Sequence, residues 1–175
     1  FKGLKIREPQ GMESEFMAKA GASVVVLPGT EIFSALDKGV VDATNWATAS
    51  INDKTGFHQV APYFTYPGFH SMPIGDFTVR QQEWDKLPAD IKQILTSACR
   101  EWAWDTIERV AIEDAKLASE AKAKGYTPIA WAPEERAKAR KIAMEIWQGW
   151  KGKNEQTKRA IELQEAWLRE LGRIQ

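Results

Sequence analysis

The stretches that decide the fold are Phe1-Lys-Gly-Leu-Lys-Ile-Arg7 and Gly39-Val-Val-Asp-Ala-Thr-Asn-Trp46. Each reads as a short β-strand that ends in side chains suited to recognition. Between them lie two helical segments, 12–20 and 30–38, and a continuous apolar strand, Ser23–Leu27. A continuous apolar strand is typical of one that is buried on both faces. This βαβαβ order predicts right-handed crossovers and a parallel sheet, so we expect an α/β fold.

The ends of the first and third strands, 4–8 and 40–44, should meet at one edge of this sheet, where open α/β folds bind their ligands. Arg7 ends the first strand with a forked cation that can hold a carboxylate through two parallel hydrogen bonds. Asn45 and Trp46 follow the third strand with an amide and a flat indole. The sequence therefore predicts a site for a small organic anion.

Two structural alternatives stay open for these residues. Arg7 could be a surface arginine paired with Glu8 or Glu31, which would contribute under about 1 kcal/mol to stability. Trp46 could be a core residue, although the neighbouring Asn45 would then need several buried hydrogen-bond partners.

An aromatic stretch at 63–70 is the second candidate for ligand contacts. Phe69 and His70 follow the turn Pro67-Gly68, and we expect them to reach into the cleft; the stretch is equally consistent with a buried strand and turn. His70 can donate a hydrogen bond to an anion. Two histidines without a cysteine pair do not form a zinc pattern, so no metal and no other cofactor is predicted.

The sequence changes character near residue 80, which we take as a domain boundary. Residues 1–80 form the α/β lobe, whose last predicted strand is 74–79, and residues 81–175 form a mainly helical region that packs on the lobe or on a partner. The region after residue 100 is rich in tryptophan, which favours packing or an interface, and a homodimer through these helices is one possibility. These tryptophans are Trp102, Trp104, Trp131, Trp147, Trp150 and Trp167.

Composition and missing motifs exclude several functions. The chain has 24 basic and 24 acidic residues and no basic block, so a nucleic-acid partner is not expected. Phosphate-binding loops, the serine nucleophile elbow and the H-E-x-x-H metal motif are absent, so we expect no enzyme. Because the chain opens at Phe1 inside a structured element, we expect it to be a piece of a longer protein.

These segments resemble the DctP-like family, the extracytoplasmic solute-binding proteins of tripartite ATP-independent periplasmic (TRAP) transporters. Lys2–Arg7 resembles the K-G-x-K-x-R strand of the family, and Glu31–Leu36 with Gly39–Asp42 resembles its E-x-x-x-A-L-x-x-G-x-V-D signature. The resemblance continues through Gly56–Pro62, Tyr66–Phe69 and the helical tail, so it covers nearly the whole chain. It implies that the first half of a usual family member is absent.

The resemblance implies one lobe of a type II-like periplasmic-binding-protein clamp with a long helical C-terminal extension, located in the periplasm. It also implies capture of a small organic acid, such as a 2-oxo or hydroxy acid, for delivery to the membrane subunits of a TRAP secondary transporter. Arg7 would hold the ligand carboxylate, Asn45 would offer a directional amide, Trp46 and Phe69 would form apolar walls, and His70 would add a polar contact.

The branch of the family that binds 2-oxo acids implies one further comparison. In that branch an Asp-Ala-Thr-Glu-Trp motif and a second glutamate after the Pro-Gly turn help to bind a metal ion. Asn45 stands at the first of these positions and Ser71 at the second. With both anionic oxygens absent, a hard cation has little reason to bind.

Two functions from other classes remain as alternatives. The tryptophan-rich helices could form a helical dimerisation or sensor module for which the α/β part is the scaffold. An enzyme acting on a 2-oxo acid has only the shape of the site in its favour.

Overall fold

The computed structural model describes residues 1–69 and 77–174, and these form two compact units. The first unit contains Phe1–Trp46 and Trp131–Gln175, and the second contains Ala47–Ala130. The first unit is therefore assembled from both ends of the chain. The domain boundary at residue 80 stays a prediction.

Helices and strands alternate in the first third of the described chain, and long helices dominate the rest. In chain order they are β1 (Lys5–Glu8), α1 (Met12–Lys19), β2 (Ser23–Val26), α2 (Ile32–Asp37), β3 (Ala43–Thr44), α3 (Ala49–Lys54), α4 (Phe57–Val60), β4 (Tyr63–Thr65), α5 (Gln81–Lys86), α6 (Ala89–Glu120), β5 (Thr127–Ile129), α7 (Pro133–Lys151) and α8 (Glu155–Glu170).

The first unit is built on a parallel sheet with the strand order β2-β1-β3, which confirms the predicted α/β fold. β1 lies in the centre, where Ile6 pairs with Val24 on one side and Ala43 on the other. β3 has only two residues, but the loop before it continues the pairing, because the Asp42 amide donates to the Lys5 carbonyl at 2.7 Å. The apolar core of this unit consists of Ile6, Met17, Ile32, Ala35, Leu36, Val41 and Ile161.

The prediction that Ser23–Leu27 is a strand buried on both faces is wrong in its burial. β2 is an edge strand of the described sheet and pairs only with β1. None of its four residues is buried, and Val26 is 57% exposed. A row of valines therefore identifies the strand correctly but not its place in the sheet.

Helix α7 packs against α1, so this part of the C-terminal region lies on the α/β lobe. The Trp150 indole Nε1 donates a hydrogen bond to Glu15 Oε2 at 2.8 Å. Lys19 pairs with Glu145 at 2.5 Å, and Lys153 pairs with Glu15 at 3.6 Å. These ion pairs are about half exposed, so they orient the two helices more than they stabilise them.

The second unit is organised by the long helix α6. Phe64, Leu117 and Ala121 form its buried cluster, with Tyr66 and Tyr126 packed against them. Among its described residues, β4 and β5 form a two-stranded parallel sheet in which Phe64 pairs with Pro128. The strand predicted at 74–79 lies partly outside the described residues, and 77–80 are not in a strand. Within the described parts of the chain, no helix combines the length and the apolar character needed to cross a bilayer.

Candidate functional site

The carboxyl edge of the first unit's sheet brings three of the predicted site residues together. Arg7 pairs with Thr44 in the register of β1 and β3, so the chain enters Asn45 and Trp46 directly beside the end of β1. The backbone N–H of Asn45 donates a hydrogen bond to the Arg7 carbonyl at 3.3 Å, which continues the strand pairing by one residue. The local reason is the parallel arrangement itself, because parallel strands end at the same edge.

The guanidinium of Arg7 is buried and held by backbone carbonyls. Nε and Nη2 both donate to the Leu27 carbonyl, at 2.9 and 2.7 Å, and Nη1 donates to the Asn45 carbonyl at 3.2 Å. Arg7 is only 5% exposed. The alternative of a surface arginine paired with Glu8 or Glu31 is therefore wrong. These bonds hold the fork rigidly at the end of β1.

Trp46 lies beside this guanidinium and is not a core residue. Its ring centroid is 5.5 Å from Arg7 Cζ, within the range of a cation–π contact, and the residue is 44% exposed. Gly29, in the turn after β2, also lies against the indole. A Cβ atom at Gly29 would overlap the Trp46 ring, so the position of the indole depends on a residue without a side chain there.

Glu8 is a buried member of this edge that the sequence analysis did not select as a site residue. It is the last residue of β1 and is 0% exposed. Its Oε2 accepts a hydrogen bond from Asn45 Nδ2 at 3.2 Å, and Oε1 has no hydrogen-bond partner among the described residues. The sequence signal for Glu8 is its position next to Arg7 at the end of a central strand, because a charged side chain is costly to bury there without a partner.

Burial raises the pKa of Glu8 from an ordinary value of 4.5 to about 7. The hydrogen bond from Asn45 opposes that rise, the negative charge of Glu13 adds to it, and the positive charge of Arg7 opposes it. Desolvation therefore outweighs the adjacent cation. The carboxyl group changes its charge near neutral pH.

The remaining predicted residues lie elsewhere. Phe69 belongs to the second unit, is half-buried and follows Pro67-Gly68, and its part in the same site stays a prediction. His70 and Ser71 lie outside the described residues.

The second unit contains its own buried ionisable group, His58, whose ring stacks on Phe64 at 4.7 Å. Its Nδ1 lies 3.7 Å from Asp53 Oδ1, and Lys124 pairs with Asp53 at 2.8 Å. Burial lowers the pKa of His58, although the Asp53 charge opposes this. Tyr126 makes an edge-on contact with the same imidazole ring, at 5.3 Å between ring centroids, so His58 is packed between two aromatic side chains. We interpret His58 as a structural histidine.

The residues at the sheet edge do not fit the metal that the 2-oxo acid branch implies. Asn45 uses its amide NH₂ toward Glu8, and an amide offers no anionic oxygen. Within 1–69 and 77–174, no group of three or more His, Cys, Asp and Glu side chains is placed to hold a metal ion.

The chain matches the family model described as bacterial extracellular solute-binding protein, family 7 (DctP), over residues 1–153. A curated relative is the monocarboxylate 2-oxoacid-binding periplasmic protein of Nostoc sp., which is 29% identical over 97% of this chain and 47% of its own length. The chain therefore spans about half the length of this relative.

Solved structures share the fold. A TRAP periplasmic solute-binding protein from Rhodobacter sphaeroides, in an apo open structure, is 35% identical with a TM-score of 0.75, over 98% of this chain and 55% of that one. A second, from Pseudoalteromonas atlantica with bound sodium and pyruvate, is 26% identical with a TM-score of 0.70, over 96% and 54%. With the family match over most of its length, the chain belongs to the DctP family, family 7 of the bacterial extracellular solute-binding proteins.

Proposed function

We propose that this chain carries the carboxylate-binding lobe of a periplasmic solute-binding protein that delivers a small organic acid, such as a 2-oxo or hydroxy acid, to the membrane subunits of a TRAP transporter. The observation that carries this proposal is the fixed guanidinium of Arg7. Three of its five N–H groups bond to the carbonyls of Leu27 and Asn45, which leaves two for a ligand. Two donors on one planar cation match the two oxygens of a carboxylate.

The neighbours of Arg7 complement this role. Trp46 offers an exposed indole that can cover the apolar part of a small ligand, and Asn45 offers an amide beside it. Phe69 and His70 stay predicted ligand contacts in this proposal. We propose capture without turnover, because the relatives described above are named as binding proteins.

The proposal is tested by calorimetric titration of the complete protein with pyruvate, lactate and malonate. Arg7→Lys keeps the charge but loses the planar fork. Hydrogen bonds to charged groups contribute about 1.5–3 kcal/mol, so we expect the best ligand to bind about 10- to 100-fold more weakly. Lys5→Ala is the matched control, since it removes an exposed cation from the same strand and should leave affinity unchanged.

Unfolding curves must accompany the titrations, because Arg7 is buried and its bonds also join β1 to the ends of β2 and β3. A folded Arg7→Lys variant that binds as tightly as the wild type would refute the role of Arg7. Conversion of any of the three acids on incubation would favour the alternative of an enzyme.

A homodimer through the C-terminal helices stays a prediction, and the comparisons do not support the alternative of a helical dimerisation or sensor module. Helix α6 exposes Trp102 and Trp104 by 53% and 69%. Exposed apolar surface favours self-association. Light scattering at several concentrations would decide whether the chain is a monomer.

A further inference from the structure

The carboxyl group of Glu8 is a buried ionisable group for which carboxylate capture by Arg7 has no use. It lies at the end of β1, immediately after Arg7, and is completely buried. One of its oxygens accepts from Asn45 Nδ2, and the other has no hydrogen-bond partner among the described residues. Buried polar groups are nearly always satisfied, so a group that keeps one oxygen unpaired requires an explanation.

Arg7 and Glu8 hold different parts of Asn45. Arg7 makes two hydrogen bonds to the backbone of Asn45. The Arg7 carbonyl accepts from the Asn45 backbone N–H at 3.3 Å, and Arg7 Nη1 donates to the Asn45 carbonyl at 3.2 Å. Glu8 Oε2 accepts a hydrogen bond from the side-chain Nδ2 of Asn45 at 3.2 Å. The backbone bonds place the residue, whereas the bond to Glu8 orients its amide.

The orientation depends on the charge of Glu8. An ionised carboxylate only accepts hydrogen bonds, so it takes one N–H of the amide and keeps the NH₂ end on its own side, with Oδ1 on the side away from Glu8. A neutral carboxyl group has an O–H that can donate to Oδ1 instead. The amide would then turn and offer its NH₂ group. The charges that act on this equilibrium are Arg7 on β1 and Glu13 on α1.

We propose that Glu8 is a positioning residue that orients the Asn45 amide, so that with Glu8 ionised the site prefers a 2-hydroxy acid to the matching 2-oxo acid. This inference rests on the proposed function, in which Arg7 holds the carboxylate. A 2-hydroxy acid donates a hydrogen bond to Asn45 Oδ1 from the carbon next to its carboxylate. A 2-oxo acid has only an acceptor there, which would face a second acceptor.

The test is calorimetric titration of the complete protein with lactate and with pyruvate, which differ only at that carbon. Titrations at about pH 9 and about pH 5 lie on either side of the Glu8 pKa, and both ligands are ionised at both values. A gained or lost hydrogen bond corresponds to about a tenfold change in affinity. We therefore expect the ratio of lactate to pyruvate affinity to be about tenfold higher at the alkaline pH.

Glu8→Gln keeps the shape of the side chain but cannot ionise, so its affinity ratio should be the same at both pH values while binding persists. Glu162→Gln, an exposed carboxylate on α8, is the matched control and should keep the wild-type pH dependence. A residue that only stabilised the fold would change both affinities together and leave their ratio unaffected.

The outcomes separate this inference from the proposed function. If the wild type binds lactate or pyruvate through Arg7, as the loss in Arg7→Lys reports, but the ratio does not change with pH, the role of Glu8 is refuted and the proposed function stands. The same holds if Glu8→Gln keeps the pH dependence. If the wild type binds none of the carboxylates, both are refuted.

Discussion

Replacing Glu8 by glutamine should change how the stability of the protein depends on pH. Glu8 is completely buried, and its pKa is raised by burial from 4.5 to about 7. Glutamine has nearly the same shape and can accept the same hydrogen bond from Asn45, but it carries no charge at any pH. The comparison therefore isolates the free energy of burying the charge.

The sign follows from the raised pKa. Below pH 4.5 the carboxyl group is neutral in both the folded and the unfolded chain, and its favourable contribution to stability is fully present. Between pH 4.5 and about 7 the unfolded chain ionises while the folded one does not, so the free energy of unfolding falls. Above about pH 7 the contribution is lost. At 1.36 kcal/mol per pKa unit, the total difference is about 3 kcal/mol.

Chemical denaturation of the wild type and of Glu8→Gln, at a series of pH values from about 4.5 to about 8, measures this directly. We expect the stability of the variant relative to the wild type to rise by about 3 kcal/mol across this range. Other titrating groups are common to both proteins and cancel in the difference. Glu162→Gln, with its exposed carboxylate, should show no such rise. A constant difference between Glu8→Gln and the wild type would mean that Glu8 titrates normally, and the reasoning would be refuted.

Three further outcomes are expected. Gly29→Ala should displace the Trp46 indole, so denaturation should show a loss of about 1–3 kcal/mol of stability and titration should show weaker pyruvate binding. Gly149→Ala, with open space around its position, should show neither the loss of stability nor the weaker binding. A chelator should leave the affinity for pyruvate within about threefold, under about 1 kcal/mol, because Asn45 is neutral; a large loss that calcium restores would contradict this. Burial lowers the pKa of His58, so its contribution to stability is present above pH 6.5 and is lost as the pH falls through the lowered pKa. The melting temperature of His58→Phe should therefore fall less on acidification than that of the wild type.

The parallel sheet and the meeting of its strand ends could be predicted because they depend on local signals. Apolar runs between glycine-terminated helices mark the strands, and the alternation of strand and helix makes the sheet parallel. That places Arg7 beside Asn45 and Trp46, as the register of β1 and β3 shows. The exposure of β2 could not be predicted, because an edge strand and a central strand can share the same valine-rich sequence, and only the pairing partners distinguish them.

The contact between Glu8 and Asn45 could not be predicted, because the two residues are 37 positions apart in the sequence. In β1, Arg7 and Glu8 are consecutive, so they point to opposite faces of the strand, and a charged pair of this kind is ordinarily taken for a solvated strand end. Both are buried, and both hold Asn45. This also gives a physical reason for the amide at position 45. A glutamate there would bring two carboxylates to about the 3.2 Å separation of the present hydrogen bond, where both could not be ionised without a cation between them. The buried carboxylate at position 8 and the neutral amide at position 45 are therefore complementary, because the amide can donate a hydrogen bond to that carboxylate where a second carboxylate could not.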